Sequence, residues 1–247
     1  MASASKKNSA LPRICIAGAT GLVGRAVLAR LAGDARIGAI TVLVRQAEQL
    51  PALLSISDKA RGQVLDFESL GRAGMPGLPA TDWAFCCLGT TIKVAGSQAA
   101  FRAVDFDAVL AFARAAKVAG ASRLAVVSAL GADARSAVFY NRVKGEMEQA
   151  LKALDLPSLV IARPSLLLGE RSALGQAGRA GESFAQTAAQ LMMPAVGWLM
   201  PRRWWPIQAD AVAAAMLSAL ADHADGVQVL ESNHLQALAD SAAPAGA

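Results

Sequence analysis

Three features of the sequence together predict an α/β fold. Short apolar runs alternate with stretches in which apolar residues recur at helical spacing, from a first run at 14–17 to a last run at 227–230. The first run leads through three glycines, spaced three apart, into the first helical stretch. Polar residues directly follow most of the runs. Alternation of this length with short connections is typical of a Rossmann-type doubly wound parallel sheet, here in one domain with a small C-terminal portion.

The predicted strands are short apolar runs that end at a glycine, a hydroxyl, a proline or a charged residue. They cover residues 14–17, 40–44, 63–66, 83–88, 123–128, 159–163 and 227–230. The predicted helices carry apolar residues three and four positions apart, which gives each of them an inner face. They cover residues 22–33, 98–119, 137–154 and 206–221.

The length of 247 residues suits one large α/β domain that buries a substantial core. We expect a flexible N-terminal tail at 1–11 and a C-terminal tail at 240–247, because both stretches lack an apolar pattern. The domain between them covers 12–239, and its C-terminal part, from about 166 to 239, is expected to face the substrate.

Charge and composition exclude several classes of protein. The net charge of +5 comes from scattered Lys and Arg, which suits a phosphorylated small molecule and argues against a nucleic-acid groove. Three cysteines without a C-x-x-C motif argue against disulfides and for the reducing cytoplasm. The apolar segment 188–200 is interrupted by Pro194 and is too short to be an integral membrane segment. His223 and His234 lie in no cluster with metal-ligand spacing, so no metal is expected.

The glycines after the first strand have the spacing G-x-x-G-x-x-G. Gly18 would allow a tight turn, Gly21 would let the backbone approach a ligand closely, and Gly24 would let the helix lie against the sheet. The free N–H groups and the positive dipole end of the following helix favour a pyrophosphate. The alternative is a glycine-rich turn without a ligand. The residues expected to contact a dinucleotide here are Gly18, Thr20, Gly21, Leu22, Val23 and Gly24.

Residues that follow parallel strands meet at one edge of a doubly wound sheet, where ligands bind. Directly after the predicted strands stand Gly18, Arg45, Asp66, Gly89 with Thr90 and Thr91, Ser128, and Arg163 with Pro164. These glycines, hydroxyls and charges predict one shared site. Leu88, Gly89, Thr90 and Pro164 are expected to contact the cofactor.

Arg45 discriminates between the two nicotinamide cofactors. It lies 21 residues beyond Gly24, where an NAD site usually has a carboxylate for the ribose 2′-hydroxyl. A guanidinium there can bind a 2′-phosphate, so we expect NADP(H) in preference to NAD(H). Asp66 is expected to accept a hydrogen bond from the adenine amino group. A solvated arginine at a strand end and a helix-capping aspartate are the alternatives.

Ser128, Tyr140 and Lys144 are the candidate catalytic residues. Tyr140 is the only tyrosine, and Lys144 lies four residues later on the same face of a predicted helix. A free phenol is a poor base at neutral pH, because its pKa is about 10, and a nearby ammonium favours the phenolate. Lys144 can also bond the nicotinamide ribose, and Ser128 would hold a substrate carbonyl oxygen. The alternative is a surface pair in which the lysine covers the ring.

These motifs carry a family resemblance. The segment 18–24, then Ser128 and Tyr140-Asn141-Arg142-Val143-Lys144, resembles the short-chain dehydrogenase/reductase superfamily, in its atypical, extended-type NAD(P)-binding branch. Cys87-Leu88-Gly89-Thr90-Thr91, residues 127–132 and residues 163–169 resemble the Tat-interacting-protein-like oxidoreductases within that branch. The resemblance extends over residues 12 to 235 and implies that backbone near Pro164 lies against the nicotinamide. The chain departs from the superfamily pattern at Cys86-Cys87 and at Asp105, which stands where an asparagine is frequent in the proton relay.

The sequence thus predicts an NADP(H)-dependent oxidoreductase that transfers a hydride between nicotinamide and a small carbonyl or alcohol substrate, with Tyr140 as acid and base. One alternative is a regulatory protein that binds NADPH without turnover. An epimerase or dehydratase of nucleotide sugars is less favoured, because the chain has little room for a sugar-nucleotide domain. The tryptophan-rich region 188–206 is interpreted as a wall of the substrate pocket, a homodimer surface or a membrane-contacting patch.

Overall fold

The computed structural model describes residues 11–67, 69–70, 77–168, 201–222 and 225–242. Its centre is a seven-stranded parallel sheet in the order β3-β2-β1-β4-β5-β6-β9. The strands are β1 (Arg13–Ala17), β2 (Ala39–Val44), β3 (Ala60–Val64), β4 (Trp83–Cys86), β5 (Arg123–Val127), β6 (Ser158–Arg163) and β9 (Gly226–Glu231). A separate pair consists of β7 (Leu167–Leu168) and β8 (Ile207–Gln208). The predicted Rossmann-type fold is confirmed.

Helices cover both faces of the sheet. They are α1 (Leu22–Gly33), α2 (Leu50–Leu54), α3 (Ile92–Ala95), α4 (Gln98–Arg102), α5 (Val109–Val118), α6 (Phe139–Lys152), α7 (Ala209–Asp222) and α8 (Ser232–Ala242). A π-helical segment, Ala103–Ala108, joins α4 to α5. Short 3₁₀ turns cover Ala47–Gln49 and Arg202–Trp204.

Alternation along the strands divides the core into two layers. Ile14 and Ile16 of β1 pack on one face of the sheet with α1 and α7, whereas Cys15 and Ala17 pack on the other face with α5 and α6. Successive side chains of a strand point to opposite faces, so a strand covered on both sides must be apolar throughout. This is why the central strands are continuous apolar runs in the sequence.

The strand order places a topological switch point between β1 and β4. From β1 the chain continues outward through β2 to β3, then returns to pair β4 with the other side of β1. The loops after β1 and β4 therefore diverge and leave a crevice at the carboxyl edge of the sheet.

Several predicted elements differ from the structure. The third strand covers Ala60–Val64, earlier than predicted, because this exposed edge strand contains the polar residues Arg61 and Gln63 and lacks an apolar run. Ile207–Gln208 forms a strand where a helix start was predicted. Helix α8 was not predicted, and it extends to Ala242, beyond the domain boundary expected at 239.

Among the residues that the structure describes, no helix combines the length and apolarity needed to cross a bilayer. The apolar segment 188–200, including Trp198, lies outside the described residues. Of the tryptophan-rich region, Trp204 and Trp205 are described, and both are exposed.

Candidate functional site

A cavity of about 360 Å³ lies at the switch point. The loops after β1, β4, β5 and β6 line it together with the first part of α6. Nine of the predicted site residues are among the lining residues: Gly21, Leu22, Val23, Leu88, Gly89, Thr90, Ser128, Tyr140 and Lys144. The cavity therefore brings the predicted nucleotide loop and the predicted catalytic residues to one place.

The other predicted site residues do not line this cavity. Gly18, Thr20 and Gly24 belong to the same glycine loop, and Pro164 is buried with its carbonyl oxygen accepting a hydrogen bond from the N–H of Leu130. The remaining two, Arg45 and Asp66, follow β2 and β3 at the same edge of the sheet and are exposed. The hydrogen bond from the N–H of Leu65 to the oxygen of Val44 keeps these two strand ends together.

The three glycines of the loop have different physical roles. Gly18 has φ +83°, and a Cβ there would lie 2.4 Å from the backbone of Cys87. A Cβ on Gly24 would lie 2.1 Å from the carbonyl oxygen of Gly18. At Gly21 the nearest atom is 3.5 Å away, which is ordinary contact. Gly18 and Gly24 are thus required by the fold of the loop, whereas Gly21 leaves space on the cavity side.

The N-terminus of α1 presents unsatisfied donors to this space. Its first described intrahelical bond runs from the N–H of Arg25 to the oxygen of Gly21, and no side chain among the described residues caps the helix. The preceding N–H groups have no helical partner, because the first turn of any helix lacks one. The buried Nε of Arg25 has no hydrogen-bond partner among the described residues, a feature that no motif in the sequence indicates. A helix start with free N–H groups favours an anion.

Lys144 forms a buried ion pair with Asp105. Their Nζ and Oδ1 atoms are 2.8 Å apart, and the side chains are 4% and 0% exposed. Burial opposes the charged form of Lys144, but the Asp105 carboxylate and the nearby Tyr140 outweigh it, so the pKa of Lys144 lies above its ordinary value. Lys144 therefore remains an ammonium inside the protein at neutral pH.

Asp105 also fixes the loop after β4. Its Oδ2 accepts a hydrogen bond of 2.9 Å from the N–H of Thr90. The residue lies in the π-helical segment, a type of helix irregularity that is frequent at functional sites. In the sequence Asp105 departs from the superfamily pattern, and in the structure its carboxylate contacts both Lys144 and the loop.

Ser128 belongs to a second buried network. Its hydroxyl donates a hydrogen bond of 2.6 Å to Oε1 of Glu148. Arg163 donates to both oxygens of Glu148, at 2.9 and 2.6 Å, and to Glu231 at 2.8 Å. Glu148 is buried, and the hydrogen bonds that it accepts raise the pKa of the Arg163 guanidinium above its ordinary value. In this arrangement the hydroxyl proton of Ser128 points to Glu148, not to a substrate oxygen.

Tyr140 lies at the start of α6, and its ring contacts Phe101, with 5.3 Å between the ring centroids. It shares one face of α6 with Lys144, and both line the cavity. The alternative of a surface pair is excluded by the burial of Lys144.

The cysteines are placed as core residues. Cys15 and Cys86 are buried, and burial raises the pKa of each thiol to about 12. Cys87 lines the cavity and is half-buried. Within the described ranges, no group of three His, Cys, Asp or Glu residues is placed to hold a metal ion.

A family model described as NAD(P)H-binding matches residues 18–191. The chain belongs to this family. Protein HTATIP2 of Rattus norvegicus is 34% identical over 173 residues, which are 70% of this chain and 68% of that protein. "Protein FMP52, mitochondrial" of Eremothecium gossypii is 33% identical over 225 residues, which are 90% of this chain and 95% of that protein. The resemblance stated from the motifs is thereby confirmed.

Two solved structures share the fold of this NAD(P)H-binding protein. An oxidoreductase of the short-chain dehydrogenase/reductase family from Burkholderia thailandensis has a TM-score of 0.63 at 16% identity, covering 92% of this chain and 94% of that one. UDP-glucose 4-epimerase of Thermotoga maritima has a TM-score of 0.61 at 16% identity, covering 93% and 82%. At these identities the likeness concerns the fold, which serves both oxidoreductases and epimerases.

Proposed function

We propose that this protein is an NADP(H)-dependent oxidoreductase that transfers a hydride between nicotinamide and a small carbonyl or alcohol substrate. The observation that carries the proposal is the single cavity that joins the glycine loop to Ser128, Tyr140 and Lys144. A nucleotide-binding protein without chemistry needs the loop but has no need of a phenol and a buried ammonium at the same cavity.

The residues at the cavity fit a dinucleotide. The uncapped start of α1 and the space at Gly21 suit a pyrophosphate, and Arg45 and Arg25 supply positive charge at the same edge of the sheet. When bound, the nicotinamide would supply or accept the hydride. The ammonium of Lys144, which is paired with Asp105, has three N–H donors and would bond the hydroxyls of a ribose.

Tyr140 would provide the acid and base. In the direction of reduction its phenol gives a proton to the substrate oxygen, and in the direction of oxidation it takes that proton back. Lys144, one turn further along the same face of α6, lies beside Tyr140 at the cavity. Ser128 would hold the substrate oxygen. Because its hydroxyl donates a hydrogen bond to Glu148, its oxygen is arranged to accept a hydrogen bond from a substrate hydroxyl. Donation to a carbonyl would require Ser128 to release Glu148.

The hydroxyl of Ser128 already donates its hydrogen bond to Glu148. This observation favours the second candidate function, an NADPH-sensing regulator without turnover. Turnover decides between the two. Replacement of Tyr140 by Phe should remove NADPH consumption across a panel of carbonyl compounds while the affinity for NADPH stays within about a factor of two. Activity retained by the Phe variant would exclude Tyr140 as the acid; no activity in the parent protein with any carbonyl would favour the regulator.

The cofactor preference can be tested without a substrate. At a hundredfold excess over its dissociation constant a ligand adds about 2.7 kcal/mol of stability, which for a chain of this size raises the melting temperature by roughly 5–11 °C. We expect NADPH and NADP to give this shift at much lower concentration than NADH and NAD. Replacing Arg45 by Gln should abolish the difference, while Arg36, at the opposite end of β2, serves as the matched control. Equal shifts with all four nucleotides would exclude the role of Arg45.

Location and assembly remain predictions. We propose the cytoplasm, although the FMP52 relatives are named mitochondrial, so fractionation of cells that express the protein is the test. A homodimer is to be tested by size-exclusion chromatography with light scattering.

A further inference from the structure

The carboxylate of Asp105 is held by two other elements. Its Oδ1 pairs with Lys144 of α6 at 2.8 Å, and its Oδ2 accepts from the N–H of Thr90 at 2.9 Å. A Cβ on Gly89 would lie 3.4 Å from Oδ1 and 3.8 Å from the Nζ of Lys144, so the loop after β4 lies directly over the pair. An ion pair on one side and a backbone hydrogen bond on the other thus hold this carboxylate in one position.

Among the described residues, Lys144 and Asp105 are the charged groups that line the cavity together with Tyr140. The other titratable groups on the elements around its ring include Cys86 and Cys87 of β4 and its loop, Arg102 of α4, Asp107 of the π-helical segment, and Arg142, Glu146 and Glu148 of α6. The two cysteines stay neutral, because burial raises the pKa of each thiol. Arg102 is neutralised by Glu146 at 2.5 Å, and Glu148 is neutralised by Arg163 at 2.6 Å. The guanidinium of Arg142 lies over the ring of Phe139, and Asp107 is exposed. Within the described part of the cavity, the charges beside the phenol are therefore the ammonium and the carboxylate of one ion pair.

We propose that Asp105 is a positioning residue that balances the charge of Lys144, so that Tyr140 faces a neutral ion pair and not a free ammonium. The role of the pair in catalysis rests on the proposed function, whereas its effect on the phenol does not. Asp105 holds Lys144 in the buried cavity without letting the lysine act on Tyr140 with its full charge. The strength of Tyr140 as an acid is thus set by a residue on a different helix.

Because Tyr140 is the only tyrosine, the absorbance of the phenolate in a pH titration reports on this one group. The probe is the proton, and the protein needs neither cofactor nor substrate. In Asp105→Asn the ammonium is no longer balanced, and we expect the phenolate to form about 1–3 pH units lower than in the parent protein, which is the effect that a neighbouring opposite charge has on a titratable group in proteins. In the double variant Asp105→Asn, Lys144→Met both charges are absent, and the midpoint should return to within about 0.5 unit of the parent.

The proposal would be overturned if the pH midpoint of phenolate formation is unchanged or higher in Asp105→Asn than in the parent. It would also be overturned if the double variant shows the same decrease of this midpoint as Asp105→Asn. Circular dichroism and thermal unfolding show whether each variant is folded. If Asp105→Asn does not fold, Lys144→Met alone answers the question: it leaves the carboxylate unbalanced and should raise the midpoint, and an unchanged or lower midpoint contradicts the inference. Loss of activity in Tyr140→Phe tests the proposed function separately, because the titration does not depend on turnover.

Discussion

Replacing Arg163 by Met should destabilise the protein far more than replacing Arg30 by Met. The two arginines bind their carboxylates in the same forked geometry, through Nε and Nη2, at 2.9 and 2.6 Å for Arg163 with Glu148 and at 2.8 and 2.6 Å for Arg30 with Asp210. The pairs differ in burial, since the side chain of Glu148 is 2% exposed and that of Asp210 is 67% exposed.

The magnitude follows from the burial of the charge that is left behind. Met keeps the apolar stem of Arg163 but leaves the Glu148 carboxylate inside the protein, with the hydroxyl of Ser128 still donating to it. Breaking a buried ion pair on one side costs about 3–5 kcal/mol, whereas an exposed pair contributes at most about 1 kcal/mol. With an m-value of about 3 kcal/mol/M, the urea midpoint should fall by roughly 1–1.7 M for Arg163→Met and by about 0.3 M or less for Arg30→Met.

Urea unfolding at pH 7, followed by tryptophan fluorescence, measures both effects. The double variant Arg163→Met, Glu148→Met removes the buried charge altogether and should recover most of the loss, because well-packed apolar residues replace buried ion pairs at little cost. Equal midpoints for the two single variants would refute the reasoning from burial. A double variant no more stable than Arg163→Met would show that packing around Arg163, and not the unpaired carboxylate, sets the cost.

Three further predictions concern the glycine loop, the stability of the protein at low pH and the thiols of the buried cysteines. Gly24→Ala should lower the free energy of unfolding by about 1–3 kcal/mol, because the new Cβ would lie 2.1 Å from a backbone atom. The free energy of unfolding of Gly21→Ala should stay within about 0.5 kcal/mol of the parent value, but this variant should no longer be stabilised by NADPH. Urea unfolding with and without NADPH compares the two variants. Hydrogen bonds from Arg13 hold the pKa of the Asp82 carboxyl below its ordinary value. Its contribution to the stability of the folded protein is therefore present above about pH 3.9 and is lost as the pH falls through the pKa of the folded state. The free energy of unfolding should thus change less between pH 7 and pH 2 in Asp82→Asn than in the parent. Cys15 and Cys86, with a pKa of about 12, should react with a thiol reagent at pH 8 only after unfolding, and rapid labelling of the folded protein would contradict their placement in the core.

Much of the fold was predictable because its signals are local. The central strands are apolar on both faces and therefore stand out as uninterrupted runs, and the glycines that follow β1 identify the turn into α1. The edge strand β3 was misplaced because its exposed residues remove that signal, and the two-residue strand Ile207–Gln208 exists only through its pairing with Leu167–Leu168. Pairing between distant segments leaves no period in the sequence.

The residues that meet at the carboxyl edge of the sheet can be identified from the order of strands and helices along the chain. Gly21, Gly89, Ser128 and Tyr140 line one cavity because each follows, or lies near, the end of a parallel strand, and all such ends share one edge. That geometry follows from the order of elements and needs no knowledge of side-chain packing.

The pairing of the charges at this edge, in contrast, depends on how distant segments pack against one another. In the sequence no motif points to Glu148, and Asp105 stands where an asparagine is frequent. Packing of α6 and the π-helical segment against the sheet buries both carboxylates. Glu148 contacts Arg163 and Ser128, and Asp105 contacts Lys144 and the N–H of Thr90. Whether a charge is solvated or buried depends on neighbours from distant parts of the chain, and for that reason the partners of the candidate catalytic residues could be read only from the fold.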